Sequence, residues 1–351
     1  MNSPQHPSTP VPNQGFQGLH PTGPLIAVPG DATARSKYRR ATARGFACRI
    51  FPGVYISQNR WNTAPTWEKT RTAIVSAALA YRARFLCGEA AAIHHGLWLP
   101  EDPEQLILAS ANSRRYSEIR SNTGGYRVLL RRRIVPVGEV VLRDGIAVTT
   151  IARTVADVAA AVTADEGCAT VLMVMESALA KGISKKEIAR HCRLQSGSLR
   201  GVHTQMCLHH AGERSETAGE SLTKAMFLDA GMFDVKQQVK VFDPHGREKA
   251  RVDFFLPEYN MAVEFDGRGK YLGEHGPSEK VMLREHDRKI DLENQGYVVV
   301  QVGWRQVRSG EALRLIKEAM KRHPAGSREI SGCWREAELI GWDENGEKVW
   351  D

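Results

Sequence analysis

RVDFFLPEYNMAVEFDGRGKY, residues Arg251–Tyr271, is the stretch whose reading decides the fold. It reads as two short strands and a tight connection. In Ala250–Leu256, Val252, Phe254 and Leu256 alternate with Arg251, Asp253 and Phe255; in Met261–Asp266, Val263 and Phe265 alternate with Glu264 and Asp266. Pro257-Glu258-Tyr259-Asn260 supplies the turn, with Pro and Asn as turn formers. A four-residue loop sets Leu256 opposite Met261, hence Phe254 opposite Val263 and Asp253 opposite Glu264. Opposed side chains in an antiparallel pair sit about 4.5–5.5 Å apart at Cβ. Asp266 follows Glu264 by two residues and shares its face. Three carboxylates on one face repel, and they need a cation, a shared proton or basic partners. A hard divalent ion, Mg²⁺ or Mn²⁺, answers that need and suits phosphodiester hydrolysis. The competing reading is a solvated polar face on an ordinary hairpin.

Downstream runs EHDRKIDLENQGYVVVQVGW, a charged helix, a glycine and an apolar strand. Together the two stretches resemble the nuclease domain related to the very short patch repair endonuclease, within the PD-(D/E)XK superfamily. The pattern is an Asp on one strand, then Glu-x-Asp-Gly on the next, a basic residue, and a helix with acid-x-x-Arg-x-x-x-Leu-x-x-x-Gly. Here these are Asp253, Glu264-Phe265-Asp266-Gly267, Lys270, and Glu285, Arg288, Leu292 and Gly296. The resemblance covers about residues 213–308. It implies Asp253 and Glu264 as metal ligands, Asp266 and Lys270 as groups ordering water or phosphate, and Arg288 as a phosphate contact. Two positions depart from the family: Asp266 stands where the superfamily often has Lys, and Lys270 where this subgroup often has His. Thr217-Ala218-Gly219-Glu220 spells a capping box at the start of a helix. In the resembling family a Glu here points at the metal, so Glu220 carries a structural and a catalytic reading side by side.

At 351 residues the chain has room for two or three domains, and its composition is globular. The net charge of +8 suits a polyanionic partner. The basic excess lies in the front: Asp31–Val135 holds 18 Lys/Arg against 7 Asp/Glu, whereas Glu213 onward holds 22 against 26. The six cysteines form no C-x-x-C pair, so a reduced, cytoplasmic setting is expected. No apolar run reaches membrane-spanning length and no signal peptide is evident, so no membrane partner is expected.

Residues 1–30 carry seven of the sixteen prolines and read as an extended, disordered tail. Residues 31–60 read as winged-helix-like: Arg35, Lys37, Arg39, Arg40 and Arg44 crowd a short helix, and FACRIFPGVYIS follows as a hairpin. Such modules place a helix in the major groove while basic side chains neutralise phosphates. Arg131-Arg132-Arg133 is a second basic run; on a strand, Arg131 and Arg133 share one face. His94-His95 reads as packing rather than catalysis, since neighbours on a helix point to different sides. RIFPGVY, GEAAAIHHGLWLP and RTVADVA, in that order, resemble the AbiEi-type antitoxin region of type IV toxin–antitoxin systems over about residues 31–212. That implies DNA binding and a toxin as a conceivable partner. His191–His210 offers His191, Cys192, His203, Cys207, His209 and His210, but the spacing matches no zinc finger or ribbon.

The expectation is therefore an α/β protein: a winged-helix-like and mixed α+β region (31–60 and 61–212), then a restriction-endonuclease-like α/β domain (213–322) and a tail (323–351). Its expected function is Mg²⁺- or Mn²⁺-dependent cleavage of double-stranded DNA, with RNA not excluded by any residue. The rival is a non-catalytic DNA-binding regulator or antitoxin that keeps the nuclease fold as a scaffold.

Overall fold

The computed structural model describes residues 26–27, 32–111, 117–123, 125–136, 138–195, 198–267, 279–345 and 347–351. Lys270, most of the Gly-rich loop and most of the expected N-terminal tail lie outside them. The chain is mixed α/β and divides into two compact units, Met1–Leu97 with Glu101–Asp157, and Trp98–Pro100 with Val158–Asp351. Among the described residues no helix is long and apolar enough to cross a membrane.

The first unit runs β1 (Ile26–Ala27), α1 (Ala32–Ala43), β2 (Ala47–Phe51), β3 (Val54–Ser57), α2 (Gln58–Thr63), α3 (Thr66–Ala80), β4 (Phe85–Leu86), α4 (Gly88–His95), β5 (Gln105–Ser110), β6 (Ser117–Arg120), β7 (Arg127–Arg132), β8 (Val140–Arg143) and β9 (Ile146–Thr149). Helix α5 (Ile151–Ala161) straddles the division. β2 and β3 form the expected hairpin across Pro52-Gly53, and Gly53 takes the left-handed φ of 77°. Ile26 and Ala27, expected within the tail, instead pair with Tyr55 and Val54. They make β3 the centre of a three-stranded sheet. A second sheet has the order β6-β7-β5-β4-β9-β8. Ile50, Phe51 and Ile56 of the hairpin share one core with Ile74, Leu106, Val128 and Val148. The hairpin is thus part of this core and has no separate one.

The second unit continues with α6 (Ala169–Leu179), α7 (Lys185–Gln195), α8 (Ser198–His210), α9 (Ala218–Asp229), β10 (Lys236–Phe242), β11 (Glu248–Leu256), β12 (Met261–Asp266), α10 (Glu279–Asn294), β13 (Val298–Gly303), α11 (Trp304–Arg308), α12 (Glu311–Arg322), β14 (Cys333–Glu336), β15 (Leu339–Trp342) and β16 (Lys348–Trp350). Its sheet has the order β13-β12-β11-β10-β14. β11 and β12 pair antiparallel with Leu256 opposite Met261 and Phe254 opposite Val263, the register the loop length predicts. Pro257–Tyr259 forms one 3₁₀ turn, closed by Asn260 at a left-handed φ of 45°. β12 then pairs in parallel with β13. One core joins Phe254, Leu256 and Val263 to Leu222, Phe227, Ile316 and Met173; another joins Phe255, Val252 and Ala262 to Leu292 and Tyr297. The sheet is therefore buried on both sides.

Two expected boundaries move. Met173 enters the same core as Phe254, and Glu176 pairs with Lys224 at 2.7 Å, so α6 belongs with the sheet and the division falls at Asp157/Val158 rather than near 213. The expected C-terminal tail is ordered: β14 pairs with β10, and β15 with β16. Its strands are three or four residues long, too short for alternation to betray them.

Candidate active site

The site begins at the N-terminus of α9. Thr217 has extended backbone, and its Oγ1 accepts the Glu220 N–H at 3.2 Å. The Thr217 hydroxyl in turn donates to Glu220 Oε1 at 2.8 Å, while Glu220 Oε2 accepts the Glu216 N–H at 2.9 Å. Thr217 caps the helix as expected, but the Glu220 carboxylate reaches back to the Glu216 N–H rather than the Thr217 N–H, so only half of the expected capping box forms. The cap leaves Glu220 only 4% exposed, beside Asp253. The structural and site readings of Glu220 are thus compatible. Gly219 makes the approach feasible, since a Cβ there would lie 1.9 Å from the Phe265 ring of β12.

Asp253 Oδ2 accepts the Phe265 N–H at 2.8 Å, which ties β11 to β12 just past their ladder. Glu264 is 8% exposed, and Arg288 of α10 donates to its Oε2 at 3.0 Å. A solvated polar face is therefore not what these residues form. Burial, and then the nearby Asp253, pushes the Glu220 carboxyl up to about 8. Burial also pushes Asp253 up to about 6; the Phe265 N–H opposes this, and Glu264 and Glu216 add to it. Asp253 lies electrically between Glu220 and Glu264. Asp266, half-buried, lines an open pocket with Trp304, Arg305 and Arg308 at the end of β12.

A further set of residues braces this cluster. Gln238 donates to Glu220 Oε2 at 3.0 Å from a left-handed backbone with φ of 54°. A non-glycine residue held there costs about 1–3 kcal/mol. Arg251 donates to Gln238 Oε1 and forks onto Glu216 at 2.8 and 3.2 Å. The Trp350 indole N–H donates to the same Glu216, and Arg251 lies over its ring at 5.2 Å. Lys348 donates to the carbonyls of Glu213 and Ser215; its pKa is lowered by burial, against the pull of Glu220 and Glu216. Facing Gln238 toward the site was legible from its neighbours on β10. The roles of Glu216, Trp350 and Lys348 depend on partners 133 to 135 residues away along the chain and left no local signal.

The donor set suits a hard cation, being oxygen from carboxylates held close enough to raise one another's pKa. These carboxylates do not form a ready-made cage: among the described residues, the group of three ligand atoms lying within 4.8 Å of one another is Cys168, His203 and Cys207. Mg²⁺ asks for only one or two carboxylates, with water and phosphate completing its shell.

No family model matches the chain, and no solved structure matches it. Two uncharacterised proteins of Mycobacterium tuberculosis, from strains CDC 1551 / Oshkosh and ATCC 25618 / H37Rv, are each 29% identical over 119 residues. That segment is 34% of this chain and 42% of theirs, so the chain spans less than half the length of the curated relatives it matches.

In the first unit, Arg35, Lys37, Arg39, Arg40 and Arg44 are exposed on and just after α1. Arg39 and Arg49 line an open groove with Tyr55, Asn62 and Asn122. Arg131 is half-buried on β7. Arg133, also half-buried, pairs with the buried Asp157 at 2.9 Å, a carboxylate that Arg153 meets as well at 3.0 Å. His95 is 2% exposed and bonds Thr149 O at 2.6 Å, a packing role.

Proposed function

We propose that the second unit is a Mg²⁺- or Mn²⁺-dependent endonuclease acting on double-stranded DNA, and that the basic face of the first unit supplies affinity for the duplex. The observation that carries this is the meeting of the buried Glu220 and Glu264 with the half-buried Asp253, whose repulsion burial amplifies. Such an arrangement needs a cation, a shared proton or a basic partner, and clustered carboxylates with raised pKa values are a mark of functional sites. Asp253 and Glu264 would hold the ion. When bound, it would activate water and neutralise charge on a phosphodiester. Gln238 braces Glu220 beside Asp253. Arg288 balances Glu264 in the ion-free chain and offers its guanidinium fork to a phosphate. Asp266 and Lys270 would order the attacking water; Lys270 keeps this role on the sequence pattern alone. The exposed α1 cations support the duplex as partner. A toxin partner rests on the N-terminal resemblance.

The Arg288–Glu264 pair also favours the rival reading, in which an arginine already meets the charge and the fold is a regulator's scaffold. Plasmid cleavage decides between them. Purified protein with Mg²⁺ or Mn²⁺ should nick or linearise plasmid, chelator should stop it, and Lys270→Ala should slow it by about 10²–10³, the worth of one positioned donor. A chain that binds duplex but never cuts with any divalent ion is the regulator. Parallel incubation with structured RNA tests the other nucleic acid.

A further inference from the structure

Away from the carboxylate cluster, two helices of the second unit bring two cysteines and a histidine together. Cys168 precedes α6 at its N-cap, and His203 and Cys207 stand four apart on α8, one turn along the same face. All three are buried, at 1%, 6% and 0% exposed, and their ligand atoms lie within 4.8 Å of one another. Cys207 Sγ is 3.8 Å from His203 Nε2. Ligands in a tetrahedral zinc site, with bonds of about 2.0–2.3 Å, stand about 3.3–3.8 Å apart. That edge is therefore already at the required length. Asp229, at the end of α9, accepts the Cys168 N–H at 2.9 and 3.2 Å, and its carboxylate also meets the Cys168 thiol. Gly167 permits this closeness, because a Cβ there would lie 2.6 Å from Asp229 Oδ2. Asp229 is itself exposed.

We infer that Cys168, His203 and Cys207 bind one zinc ion, with Asp229 at the fourth corner. Two thiolates and an imidazole select zinc over the hard cations suited to the carboxylate cluster. In the ion-free chain His203 Nε2 is bonded to Gly167 O at 3.1 Å, so the ring gives up that bond and carries its proton on Nδ1 when the metal binds. Two Zn–S bonds, one Zn–N bond and one Zn–O bond form, and the two thiol protons leave to solvent. The ion ties α6, α8 and α9 together and so fixes the helix that bears Glu220. This inference does not rest on the nuclease reading, and its test uses no DNA.

The full chain, stripped with chelator under reductant, is titrated with Co²⁺ and then Zn²⁺. One equivalent of cobalt should give the visible bands of a tetrahedral thiolate site, zinc should displace it, and about two protons should be released per ion. Cys207→Ser and His203→Ala should abolish the bands, while Cys192→Ser and His209→Ala should keep them. Asp229→Asn, which keeps an oxygen for the Cys168 N–H, should weaken zinc binding by at least about tenfold. The assignment is overturned if the parent gives no thiolate–cobalt bands, if the bands persist in Cys207→Ser and His203→Ala, if Asp229→Asn binds zinc as the parent does, or if non-reducing peptide mapping finds Cys168 joined to Cys207 as a disulfide.

Discussion

Glu220 and Asp253 set the protein's response to pH. Both carboxyls titrate higher in the folded chain, at about 8 and about 6, than their ordinary 4.5 and 3.8. The folded state therefore holds protons that the unfolded state has lost. The stability these groups contribute is full below their ordinary values and disappears as pH rises through about 6 for Asp253 and about 8 for Glu220. In chelator, the melting temperature should fall from about pH 5 to about pH 8.5, and Glu220→Gln should flatten the upper part of that fall. A profile unchanged by Glu220→Gln would mean that this carboxyl is not held protonated. Asp253→Asn keeps an oxygen for the Phe265 N–H and removes one negative charge. It should melt at or above the parent in chelator and fail to cut plasmid; cutting at the parent rate would remove Asp253 from the site. Asp253 and Glu264 were legible because alternation on a hairpin fixes which side chains share a face. The left-handed Gln238 was not, since a Gln inside a β-forming run gives no sign of φ above zero.

The joint between α9 and β12 depends on a missing side chain. Gly219→Ala gains about 1 kcal/mol of helix propensity. Its methyl would lie 1.9 Å from Phe265, a ring already set edge-on against Trp304 at 5.3 Å. Neither ring has an easy retreat, and overpacking of this kind costs about 1–3 kcal/mol or more. We expect Gly219→Ala to lower the denaturant midpoint and to cut activity further than the stability loss accounts for, because α9 carries Glu220. A midpoint equal to the parent's would show that α9 slides freely on the sheet. The Thr217 cap and the four-residue loop were readable because each depends on residues within four positions of one another. The strand β14 was not, because what makes CWRE a strand is the open edge of β10, which no local pattern announces.

The division into units makes its own prediction. A fragment starting near residue 213 lacks Met173 and Glu176, which leaves a core short of a methionine and Lys224 without its partner. Residues 158–351 should fold with a cooperative transition by circular dichroism, and residues 213–351 should not; a well-folded shorter fragment would restore the boundary near 213. Duplex binding tests the other unit. Replacing Arg35, Lys37, Arg39, Arg40 and Arg44 by Gln in the full chain should reduce the log–log salt slope by about 0.9 for each phosphate no longer neutralised. An unchanged slope would assign the grip to the second unit. The uneven spread of charge along the chain signalled this split of tasks, but charge totals cannot say which core a helix joins, and that is where the boundary moved.

The indole of Trp350 gives the site an optical reporter of its own. Its N–H rests on Glu216 and its ring lies under Arg251, so its emission should follow the charge state of the carboxylates those two groups brace. Subtracting the spectrum of Trp350→Phe isolates this signal from the other six tryptophans. Mg²⁺, which has no colour, could then be titrated into the protein by fluorescence alone, before any substrate is known.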